Sequence, residues 1–157
     1  MYNKFCAAVI LILVLAVMGF AQDQNLGGGR LAGTWDAVIS ITNCETGQER
    51  LSFNSTANFH KGGTFTGITA GMPPAGRTPE VGIWRHETGN NYKFRFKAYQ
   101  FDANGAPTLY QIVTHTLRLS EDGSSYESAG TVKFFSMTGV QTGSGCSIGV
   151  GTRMNLD

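Results

Sequence analysis

Apolar and polar residues alternate with a period of two along most of the chain, in eight short segments separated by turn-forming residues. The segments lie at about 34–43, 49–60, 63–70, 80–88, 91–102, 107–119, 125–137 and 146–155. In the fifth, Tyr92, Phe94, Phe96 and Ala98 share one face and Lys93, Arg95 and Lys97 the other. A charged row cannot face a dry interior unpaired, so the aromatic face points inward. The second segment sets Leu51, Phe53, Ser55, Ala57 and Phe59 against Ser52, Asn54, Thr56, Asn58 and His60. The sixth gathers Leu109, Gln111, Val113, His115, Leu117 and Leu119 on one side, and the first offers Trp35, Ala37, Ile39 and Ile41. Turn signals stand between the segments, among them Lys61-Gly62-Gly63, Ala103-Asn104-Gly105, Glu121-Asp122-Gly123 and Gly143-Ser144-Gly145. No stretch carries a helical period. Short strands joined by short loops remove their exposed edges by closing on themselves, which predicts an all-β, eight-stranded antiparallel up-and-down β-barrel.

The chain opens differently. Lys4 is followed by an almost unbroken apolar run from Cys6 to Gly19, and Gly19 and Ala21 place small residues at −3 and −1 of a cleavage site before Gln22. Residues 1–21 therefore read as a signal peptide, 22–30 as a flexible lead-in containing Gly27-Gly28-Gly29, and 31–157 as one barrel domain. The expected location is secreted or periplasmic. Removal of the leader takes Cys6 with it and leaves Cys44 and Cys146, which allow a single intramolecular bridge in an oxidising compartment. That bridge would tie the end of the first strand to the start of the last. Neither cysteine has a second ligand at zinc spacing, and the three histidines fall on separate strands, so no metal and no cofactor are implied.

A formal net charge of +1 carries no electrostatic footprint for nucleic acid or an anionic membrane. Polar residues outside and apolar residues inside exclude an outer-membrane barrel, whose lipid-facing side must be apolar. No membrane association is expected once the leader is gone. Glycine is abundant, 21 of 157 residues, which suits a strongly bent small sheet. Three of the four prolines fall in 72–79, the longest connection and hence the expected lid. Asn54-Ser55-Thr56 fits a glycosylation sequon, but Asn54 sits mid-strand and the match is read as chance.

Gly33-Thr34-Trp35 opens the first strand and Arg153 sits in the last. A glycine-x-tryptophan paired with a late arginine resembles the calycin superfamily of lipocalins, fatty-acid-binding proteins and avidins. The resemblance implies a barrel whose floor is closed by the arginine lying across the indole, giving Trp35 and Arg153 a structural role. Gly82-Ile83-Trp84 is a second such triplet, but the superfamily pattern places the floor tryptophan on strand one. The lipocalin Thr-Asp-Tyr segment and C-terminal helix are absent, and the biotin contacts of avidins cannot be laid onto the chain. No ligand residues carry over from either family.

An eight-stranded barrel is just wide enough to be filled by side chains or to hold one small ligand. Small inward residues such as Ala37, Ala57, Ala98 and Ser55 fit a pocket or the taper of a solid core. Gln111, His115 and Ser55 favour the pocket, because a filled core would have to satisfy each internally. The expected ligand-binding wall is Phe53, Ser55, Ala57, Phe94, Phe96, Gln111, Val113 and His115. His115 reads first as a structurally satisfied histidine and second as a hydrogen-bonding anchor or general acid/base. No carboxylate can be placed opposite it, since Asp36, Glu80, Glu87 and Asp102 fall near strand ends or on the other face, and no catalytic residue is assigned. The function expected is a secreted barrel binding a small hydrophobic or amphipathic ligand. The alternatives are a barrel isomerase or cyclase of the allene oxide cyclase type, or a cavity-free module acting through its surface.

Overall fold

The computed structural model describes residues 29–156. The leader at 1–21 and residues 22–28 of the lead-in lie outside the described residues. Eight strands follow in chain order: β1 (Gly33–Thr42), β2 (Glu49–Phe59), β3 (Thr64–Thr69), β4 (Glu80–Thr88), β5 (Asn91–Phe101), β6 (Pro107–Leu119), β7 (Ser125–Ser136) and β8 (Gln141–Arg153). Each pairs antiparallel with its neighbour in sequence, and β8 returns to β1 to close the barrel. The architecture read from the period-two pattern is the one observed.

The faces follow the same logic. Tyr92, Phe94, Phe96 and Ala98 are buried, and on β4 Trp84 is buried while Val81 and Ile83 are exposed. Two expectations need correction. Gly143-Ser144-Gly145 is not a turn but lies inside β8, which begins at Gln141. The chain reverses instead at 137–140, where Gly139 takes positive φ and Ser136 N–H donates to the Val140 carbonyl. Gly143 and Gly145 sit opposite Phe134 and Val132 on β7, and at Gly145 an added Cβ would lie 3.3 Å from Val132 Cγ1, so glycine there serves packing rather than chain reversal. Arg30, assigned to the lead-in, donates to Asn90 Oδ1 at 2.8 Å and to the Glu121 carbonyl.

The β1–β8 seam is fastened at both ends. At one end Trp35 stands opposite Arg153 in register, fully buried, with the guanidinium carbon 4.2 Å from its ring centroid. Arg153 also donates to the carbonyls of Gly123, Ala32 and Arg30, so it caps the barrel as it covers the indole. Gly33 is required there: its φ of 144° disfavours any side chain, and an added Cβ would lie 2.5 Å from Arg153 Nη1. At the other end Thr42 faces Cys146, and the Cys44–Cys146 disulfide spans a Cα separation of 5.1 Å. The bridge expected from the cysteine count is present.

Between these ends the interior is packed unequally. The Trp35 half is filled by aromatic side chains in edge and tilted contact: Phe59 meets Phe65, Trp84, Phe94 and Tyr126 with centroids 5.1–6.1 Å apart. Leu31 plugs the end and accepts the Trp35 indole N–H at its carbonyl, 3.0 Å away. Such rings bury large areas and add about 0.5–1.5 kcal/mol per pair beyond that burial. The disulfide half holds fewer large groups.

Two outcomes follow. Replacing both cysteines by alanine should cost about 3–5 kcal/mol, since the bridge closes a loop across 102 residues. Arg153→Ala should cost about 2–4 kcal/mol through the lost cation–π contact and charge-assisted hydrogen bonds. Urea midpoints of the variants, with and without reductant for the wild type, measure both.

Candidate functional site

A cavity of about 270 Å³ occupies the disulfide half of the barrel. Its walls are mostly apolar. Phe53, Ser55 and Ala57 come from β2, Phe94 and Phe96 from β5, and Gln111, Val113 and His115 from β6. The eight residues read from the sequence as inward-facing mid-strand positions thus line one space. Ile39 and Ile41 of β1 and Phe134 of β7 belong to the same wall. The connection between β3 and β4 contributes Gly71, Met72 and Arg77, placing the segment around the prolines against the cavity. Leu51, assigned to the interior, is 54% exposed yet still lines the space, which marks the wall near it as open to solvent.

The three polar groups expected to serve a ligand each have a partner in the protein, though the Gln111 amide N–H groups have none among the described residues. Ser55 Oγ donates to the Ile68 carbonyl at 3.0 Å, and Gln111 Oε1 accepts from Gln100 at 3.0 Å. His115 is buried, with Nδ1 3.1 Å from Ser128 Oγ and Nε2 2.8 Å from Ser147 Oγ, and its ring centroid lies 5.3 Å from that of Phe94. Both nitrogens are occupied, so the anchor or acid–base role has no free nitrogen to work with, and the satisfied reading describes what is observed. Burial without an anionic partner lowers its pKa to about 4, holding it neutral at neutral pH.

A carboxylate does reach this cavity. Glu80, set aside as a strand-end residue, is 6% exposed and lines the space together with His115. It shares its parity with the inward Trp84, a signal present in the sequence; what the sequence lacks is the neighbour that makes burial tolerable. That neighbour is Arg77, whose Nη1 lies 2.8 Å from Glu80 Oε1, both side chains being less than a tenth exposed. Arg77 belongs to the long connection, but its backbone bridges to Gln100 of β5, and Thr78 and Tyr99 exchange hydrogen bonds beside it. β5 extends past the start of β4, and this pairing bends the connection inward. Space for the carboxylate exists because residue 67 is glycine: a Cβ there would lie 2.5 Å from Glu80 Oε2. Burial pushes the Glu80 carboxyl above its ordinary range against the pull of Arg77, and burial with the nearby Glu80 charge pushes the Tyr126 hydroxyl up. Among the described residues no three metal-ligating side chains converge, and no helix is long and apolar enough to cross a membrane.

No protein-family model matches the chain, and no curated protein matches it. Among solved structures, the crystal structure of Rv2717c from M. tuberculosis is similar at 16% identity and a TM-score of 0.42, covering 81% of this chain and 94% of that one. A likeness at this level bears on neither ligand nor activity.

His115 makes stability pH-dependent in a definite sense. Its folded pKa lies below its ordinary 6.5, so its contribution is complete above pH 6.5 and is lost as pH falls toward 4. The loss is on the order of 2–3 kcal/mol by pH 4.5. Glu80, shifted upward, has the opposite sign. Comparing wild type with His115→Gln isolates the histidine: the wild-type urea midpoint should fall more steeply between pH 7 and 4.5 than the variant's.

Proposed function

We propose that this protein is a secreted or periplasmic calycin-like barrel that binds a small hydrophobic or amphipathic molecule in its interior. The cavity carries the reading. A barrel of this size can be filled entirely by side chains, and one half of this one is; the other half leaves about 270 Å³ walled by rings, aliphatic groups and a few polar atoms. Ligand sites typically run from about 300 to 1,000 Å³, and an engineered apolar void of about 150 Å³ already takes benzene. The volume suits a molecule of one or two fused rings rather than a long-chain lipid. The disulfide supports an oxidising compartment.

Turnover has less support. The histidine that could act as a base is neutral and fully hydrogen-bonded, and the carboxylate is held by an arginine. The reading is therefore binding rather than catalysis.

Titration with 1-naphthylamine, a two-ring fluorophore that is uncharged at neutral pH and brightens in apolar surroundings, should give a saturable increase. Ala57→Leu fills the cavity from β2 and should weaken that binding at least tenfold while leaving the far-UV spectrum unchanged. No brightening with wild type would point to function on the outer face.

A further inference from the structure

We propose that the Arg77–Glu80 pair is the head-group anchor of the barrel ligand, and that this head is uncharged and presents a hydrogen-bond acceptor beside a donor, as a primary amide or lactam does. The proposal rests on the cavity-binding reading above and adds to it the chemistry of the ligand's polar end.

The pair is the charged feature of the cavity wall, and most of its hydrogen-bonding capacity is unused. A guanidinium carries five N–H donors, and among the described residues the Arg77 side chain donates only to Glu80 Oε1. Among the described residues Glu80 Oε2 accepts no hydrogen bond, and no side-chain nitrogen or oxygen sealed from solvent lacks a partner. The remaining donors and the second carboxylate oxygen therefore keep access to open space, and both residues line the cavity. Elsewhere on the wall, Ser55 and His115 have partners within the protein, while one hydrogen bond joins Gln100 to Gln111 and leaves the Gln111 amide N–H groups and Gln100 Oε1 as neutral groups without a partner among the described residues. Only at Arg77 and Glu80 are the open donors and acceptor of the wall charged, so a ligand head gains charge-assisted hydrogen bonds there and neutral ones at the glutamines.

Charge balance selects the head. One cation and one anion already neutralise each other, and the other titratable groups lining the space, His115 and Tyr126, are uncharged at neutral pH. A ligand carboxylate would add a second buried anion beside Glu80, and an ammonium a second cation beside Arg77; each would pay desolvation without a counter-charge. An uncharged head whose carbonyl accepts from Arg77 and whose N–H donates to Glu80 extends the pair at no change in net charge, with charge-assisted hydrogen bonds on both sides. The competing role is purely structural, a tether that holds the 70–79 connection onto β5 and indifferent to what the cavity contains.

The test compares naphthalene, 1-naphthamide and 1-naphthoate at pH 7 by calorimetry. The amide should bind about tenfold tighter than naphthalene, and the naphthoate no tighter than naphthalene. In Arg77→Met/Glu80→Leu, which removes both charges together, the ratio of amide to naphthalene affinity should fall to one or below. The Arg77 Nε–H resonance of the wild type should move on adding the amide and stay in place with naphthalene, a readout independent of the variant's folding. An amide no tighter than naphthalene, a naphthoate that binds best, an unmoved Arg77 resonance, or a preference that survives the double substitution would each overturn the anchor and leave the cavity reading standing. Failure of all three compounds to bind would remove both.

Discussion

The pairing of β1 with β8 is the contact on which the rest of the barrel depends. Every other strand pair joins neighbours in sequence, while this one brings together residues separated by nearly the whole domain. Such a closure bears a large loop entropy before any contact rewards it. The chain offsets that cost at both ends of the seam, with an arginine held over an indole at one and a covalent bridge at the other. Without closure β1 and β8 would be open edges, and the inward residues of all eight strands would have no common interior.

Closure of so few strands leaves a narrow bore, and side-chain size then decides what remains of it. In the Trp35 half, Phe59 and its aromatic partners meet across the axis and leave no room for a guest. Next to it, Ala57 opposite Trp35 and the Ala37–Ser55 pair beyond it are small, and the space they line with Val113 and His115 persists. The division makes mechanical sense: a rigid aromatic floor holds the strands in register, so the upper half can stay hollow without collapsing. The same geometry explains why the long connection lies over the cavity. β3 is short and β4 starts late, so residues 70–79 must cross the end of the barrel, and their pairing to β5 draws them inward.

The alternation of charged and aromatic residues determined the strand count and the inward faces, those of the eight positions named for the wall included, because a period of two admits only one orientation when one face carries Lys93, Arg95 and Lys97. Two cysteines left in the domain determined the bridge. The turn before β8 was misread because glycines mark both reversals and strand positions beneath bulky neighbours, and only the partner strand tells them apart. Whether the barrel is hollow could not be read from the chain, since small inward residues fit a taper as well as a pocket until opposite walls are set at their true distance. The same holds for Arg77 and Glu80. Three residues apart at a strand entrance, they look like solvent-facing charges, and burial beside a cavity arises only when β5 outruns β4, Gly67 yields space and the connection folds back over the opening. Periodicity encodes which way a side chain points; what it meets there depends on strands distant in sequence, and only closure of the barrel brings them together.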